Sequence, residues 1–113
     1  MTDIIIPIYG GRLIVCWSRA EFDAQRERLL PGAAPLGPSA GKTSRITAPD
    51  GSATYLVGVF DDCWSSLAHE LDHVTTWVMQ RANINMADSD GEVRAYLMGA
   101  LCKLCGMDER AAA

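Results

Sequence analysis

Ser66-Leu67-Ala68-His69-Glu70-Leu71-Asp72-His73-Val74-Thr75-Thr76-Trp77-Val78 carries two patterns at once. Leu67, Leu71, Val74 and Val78 recur with the three- and four-residue spacing of one helix face, so the stretch predicts an amphipathic helix lying on a hydrophobic core. At about 100° per residue, His69 and His73 fall on nearly the opposite side, one turn apart, where both imidazoles can reach a single ion. Glu70 stands between them, projects from the same side in this reading, and can hold the water bound to such an ion. The helix is expected to start at the Asp61-Asp62 pair, either of which can cap it, and to run to about Ala82. The chain has no other histidine.

Before this helix, residues 44–48 and 53–60 are extended by propensity, and Pro49-Asp50-Gly51 makes the turn of a hairpin. Residues 3–17 hold two β-branched stretches split by Gly10-Gly11, which predicts a first hairpin with a two-residue turn. Ser18-Arg19-Ala20-Glu21 matches a capping box and opens a charged helix that should run to Leu30, before Pro31. The Pro-, Gly- and Ala-rich residues 31–43 read as a flexible surface loop. Within it, Gly37 to Thr43 looks like a phosphate-binding loop, but the first glycine is one residue too close and Thr43 leads into a strand rather than a helix.

After the long helix, Asp88 to Gly91 leads into a last helix that ends near Gly106, and a disordered tail is expected from about residue 107. The order is two strands, helix, two strands, helix, helix. It predicts one α+β domain over residues 1–113, with a small, mostly antiparallel sheet of about four strands.

Composition supports a folded domain: 49% of the residues are hydrophobic and 21% charged, far from the low-hydrophobicity, high-charge range of disordered chains. With 10 Lys and Arg against 14 Asp and Glu the net charge is −4, which leaves no basic footprint for nucleic acid or anionic lipid. The apolar runs 4–9 and 13–17 are too short for a membrane span, and the start of the chain lacks the basic region of a signal peptide, so the expected compartment is the cytoplasm. Cys16, Cys63, Cys102 and Cys105 do not have the dense spacing of a disulfide scaffold and are read mostly as small buried hydrophobes.

A catalytic zinc site needs a third protein ligand and one position open to water. Glu92 is the best candidate, because residues 74–91 are enough chain to finish one helix and return on a second packed against it. On that second helix Val93, Leu97, Ala100, Leu101 and Leu104 make the buried stripe, Glu92 and Tyr96 line up on its flank, and Gly99 continues the line where the helices would approach closely.

His69-Glu70-Leu71-Asp72-His73 followed by Glu92 resembles the gluzincin pattern of thermolysin-like and aminopeptidase-N-like metallopeptidases. The text around it, 66–70 and 92–97, is also similar to small uncharacterised zincin-like proteins of bacteriophages. The resemblance covers roughly residues 53–104. It implies a minimal zincin-like domain with an HExxH metal helix and a following ligand helix, zinc held by His69, His73 and Glu92, and Glu70 as general base in peptide-bond hydrolysis. It also implies a substrate strand aligned along residues 53–60. Gluzincins add a side chain that stabilises the oxyanion, and here the choice lies among Tyr96, Tyr55 and Arg94, with Tyr96 favoured by helix geometry.

The competing expectation is a zincin-fold protein used for binding or assembly, which keeps zinc structurally or has lost it. Cys102 and Cys105 would complete a closed zinc shell with the two histidines only by turning away from the flank of Glu92 and Tyr96. Expected partners are a peptide or protein substrate, and a second protein or a second copy that walls the cleft; no nucleic acid and no membrane are expected.

Overall fold

The computed structural model describes residues 1–107, so the tail expected from about residue 107 lies, beyond Met107, outside the described residues. Its elements follow the predicted order: β1 (Thr2–Ile5), β2 (Arg12–Cys16), α1 (Arg19–Leu29), β3 (Gly41–Thr47), β4 (Ala53–Val59), α2 (Trp64–Arg81), and, after a short turn of 3-10 helix at Asp88–Gly91, α3 (Glu92–Leu104). The fold is α+β, a mixed four-stranded sheet with three α-helices.

The strands lie in the order β1-β2-β4-β3. Both hairpins pair antiparallel as expected, but the central ladder joins β2 to β4 in parallel, with Leu13 opposite Tyr55 and Val15 opposite Val57. That parallel pairing is not written in either hairpin, because it depends on where the chain returns after crossing through α1 and β3. The two inner strands are buried on both faces, which explains why β2 and β4 read as continuous apolar runs instead of alternating.

Alternation along the strands sorts the core into two layers. Leu13, Val15, Tyr55, Val57 and Val59 face α2 and α3 and pack with Leu67, Leu71, Val74, Val78, Leu97 and Leu101. Ile14, Cys16 and Leu56 face the other way and pack on Phe22 of α1, with Phe60 meeting Phe22 edge-on at 5.6 Å. The charged helix α1 therefore closes one face of the sheet with a single fully buried side chain. Its N-terminus is held as the sequence predicts, with Ser18 Oγ accepting from the Glu21 amide at 3.1 Å.

Three local expectations need correction. The first hairpin does not turn on Gly10-Gly11 alone: Pro7 interrupts the strand, and residues 6–11 form the connection, closed by Ile6 N–H to the Gly11 carbonyl at 2.9 Å and Gly10 N–H to the Ile6 carbonyl at 3.2 Å. Strand β3 begins at Gly41, so the loop is shorter than residues 31–43 and Lys42 and Thr43 belong to the sheet. Helix α2 is capped at Cys63 without a side-chain bond, and Asp61 instead braces its first turn from outside, accepting from the Cys63 amide at 3.2 Å and the Ser66 hydroxyl at 2.6 Å.

Candidate metal centre

Helix α2 meets the sheet through Leu67, Leu71, Val74 and Val78, all nearly or fully inaccessible, and this docking sets the direction of every other side chain on it. His69 and His73 are exposed, as the helical spacing requires, and their rings lie 5.1 Å apart edge-to-face. Glu70 points about 100° away from His69, which turns it under β3. It is only 7% exposed, and the Thr43 hydroxyl donates to its Oε1 at 2.9 Å. Gly41 leaves the room for this: a Cβ there would stand 3.2 Å from Glu70 Oε2 and 3.0 Å from the Gly58 carbonyl.

The ligand-capable atoms of His69, Glu70 and His73 all lie within 4.8 Å of one another, and this is the group among the described residues that can hold a metal ion. It contains no cysteine. Cys16, Cys63, Cys102 and Cys105 are free thiols, with Cys16 and Cys105 buried, Cys102 partly buried and Cys63 exposed. A cavity of about 300 Å³ opens along the group, lined by Gly41, Lys42 and Thr43 of β3 and by Trp77, whose ring stacks on that of His73 at 6.0 Å and 27°. Trp77 thus forms the wall beside the second histidine, one helical turn on from it.

Glu92 is not brought into the group, and neither is Tyr96. The reason is the side of α2 on which α3 packs. Thr75 Oγ1 lies 3.4 Å from Met98 Sδ, and Asp72 pairs with Arg94, so α3 rests on the flank of α2 that carries residues 72 and 75. That flank is separated by roughly 100° of helix rotation from the bisector of the two histidines, which lean instead toward β3. Glu92, the first residue of α3, is exposed, and Tyr96 is 76% exposed in an apolar groove with Pro7, Ile8 and Leu97. Gly99 is not a point of close helix approach, since a Cβ there would meet nothing within 4 Å. Of the predicted buried stripe on α3, Leu97 and Leu101 are buried whereas Leu104 is 44% exposed.

The other candidates for oxyanion stabilisation are placed elsewhere too. Arg94 is engaged with Asp72, and Tyr55 is 1% exposed and stacks on the far side of the cavity wall, 6.3 Å from Trp77. Lys42 of β3 also borders the cavity, but it stands opposite Gly58, and alternation along the strand puts its side chain on the α1 face of the sheet. Strand β4, expected to align a substrate, is paired on both sides; among the described residues the edge strands are β1 and β3, and β3 is the one beside the histidines. Thr43 and Gly41 carry no local pattern that marks them, because they meet Glu70 only through the pairing of β3 with α2.

No protein-family model, no curated protein and no solved structure matches this chain.

No helix of the described residues is long and apolar enough to cross a membrane.

Proposed function

We propose that His69 and His73 bind zinc and that the protein is a zinc-dependent, gluzincin-like metallopeptidase in which Glu70 is the general base. The observation that carries this reading is the convergence of two exposed imidazoles and one buried carboxylate of helix α2 within 4.8 Å. His69 and His73 would hold the zinc, and Glu70 stands close enough to them to act on a water bound there. Zinc at such a site supplies Lewis acidity and draws the pKa of water down to about 7.

The remaining chemistry belongs to the chain. The Thr43 hydroxyl fixes Glu70 Oε1, so the carboxylate is held in one orientation beside the histidines instead of sweeping through solvent. In that position it takes a proton from the attacking water and returns it to the leaving nitrogen of the cleaved amide. Glu92 enters this scheme as third ligand only by a movement of the first turn of α3, and Tyr96 as electrophile only by a larger one.

The position of Glu92 favours a second reading, a binding or assembly protein on the same scaffold that keeps zinc structurally or does without it. Glu70→Gln separates the two. In the peptidase the variant retains the fold and about one zinc per chain by elemental mass spectrometry, while cleavage of a peptide library falls by a factor of roughly 100 or more. Unchanged cleavage, or unchanged biological activity, would overturn the assignment of Glu70 as base.

A further inference from the structure

One turn beyond Trp77 on α2, and two residues along β3 from Thr43, the chain places two arginines in one cavity. Arg45 and Arg81 line a space of about 350 Å³ together with Thr47, Tyr55, Trp77 and Gln80, and no acidic side chain lines it. Both arginines are exposed, and among the described residues neither forms an ion pair. The Arg45 guanidinium lies over the Trp77 ring, 5.1 Å from its centroid, and Arg81 donates to the Gly51 carbonyl. Each guanidinium is therefore steered by a neighbour while keeping N–H groups for a ligand. In a chain with a net charge of −4, two unneutralised cations around one concavity are a local reversal of sign.

Trp77 borders both this cavity and the one at the candidate metal centre: its ring stacks on that of His73 and lies under the Arg45 guanidinium. By those two distances, 6.0 Å and 5.1 Å, the Arg45 guanidinium is separated from His73 by no more than about three residues of extended chain. Arg45 and Thr47 stand on β3, whose outer edge pairs with no strand among the described residues and can align an extended backbone.

We propose that this cavity is a carboxylate-binding subsite, in which Arg45 and Arg81 hold a carboxylate of an extended peptide laid along β3. The class of ligand rests on the peptidase reading above; the charge and shape of the cavity do not. A planar, forked guanidinium pairs with a carboxylate through two parallel hydrogen bonds, and two of them enclose it. The carboxylate comes either from the C-terminus of the peptide or from an acidic side chain. As a consequence, cleavage would be confined to bonds within a few residues of that anchor.

The test uses metal-free protein, prepared by chelation and dialysis, so that it does not depend on whether zinc binds or hydrolysis occurs. Unlabelled short Ala/Ser peptides are titrated into nitrogen-15-labelled protein, with the Arg45 and Thr47 amides and the Trp77 indole N–H as reporters. The arms are a free C-terminus, an amidated C-terminus, and an amidated peptide with an internal Glu. A free carboxylate in either position should bind about tenfold more tightly than the neutral peptide, and Arg45→Gln or Arg81→Gln should each remove most of that preference. The first and third arms identify which source is preferred. Equal binding of neutral and acidic peptides, wild-type affinity in both variants, or tighter binding of inorganic phosphate than of every peptide would overturn the proposal.

Discussion

Thr43 and Glu70 form a buried hydrogen-bonded pair, made by a strand and a helix, of residues 27 apart in sequence. Removing the hydroxyl leaves a buried carboxylate oxygen without that donor, so Thr43→Val is expected to cost about 1–3 kcal/mol in urea denaturation, with Thr43→Ser close to wild type. The thiols offer a second check. Burial pushes Cys16 up to about 11 and Cys105 up to about 12, whereas a hydrogen bond with Ser65 lowers the pKa of the exposed Cys63. Since the thiolate is the reactive form, a thiol reagent at about pH 8 should label Cys63 rapidly, and Cys16 and Cys105 only after denaturation. Labelling of Cys16 at the rate of Cys63 in native protein would contradict the packing of β2.

Among the elements, β4 shows how tightly the two layers are coupled through the sheet. Gly58 lies on the α1 side, where a Cβ would come within 2.4 Å of Phe60 Cζ and 2.7 Å of Phe22 Cδ2. Gly58→Ala therefore has to displace an edge-to-face pair of rings, one of them fully buried, and is expected to destabilise by roughly 1–3 kcal/mol with a matching drop in Tm. On the opposite layer, α2 divides its circumference three ways: apolar residues on the sheet, Asp72 and Thr75 toward α3, His69 and His73 toward β3 and solvent. The resemblance to a two-helix zinc site assumed that α3 would return on the histidine side. Spacing along the chain permits either side; the burial of Leu97 and Leu101 against the core and the Arg94–Asp72 pair decide for the other one.

For the whole molecule, the bound ion should register as stability. A ligand that binds only the native state adds RT ln(1 + [L]/Kd), about 2.7 kcal/mol at a concentration of 100 Kd, which in a domain of this size raises Tm by roughly 10 °C. Zinc is expected to produce such a shift, a chelator to reverse it, and His69→Ala to abolish it. Glu92→Ala distinguishes the ligand sets: an undiminished shift assigns the ion to α2 alone, and a reduced one means that α3 moves to complete the shell. A wild-type protein whose Tm ignores zinc would remove the metal from the reading altogether.

The order and type of every element, the capping of α1, the core face of α2 and the outward direction of His69 and His73 were legible in the residues, because each depends on periodicity or on hydrogen bonds within a few positions. The central parallel ladder, the long first turn, the inclusion of Lys42 and Thr43 in β3, and the position of Glu92 and Tyr96 away from the histidines were not. Those depend on which of several apolar surfaces meet, and that outcome is set by the summed burial of side chains distant in sequence, which no local pattern encodes. The same physics places Arg45 beside Arg81: one stands on a strand and the other at the end of a helix, and the fold alone brings them to one cavity.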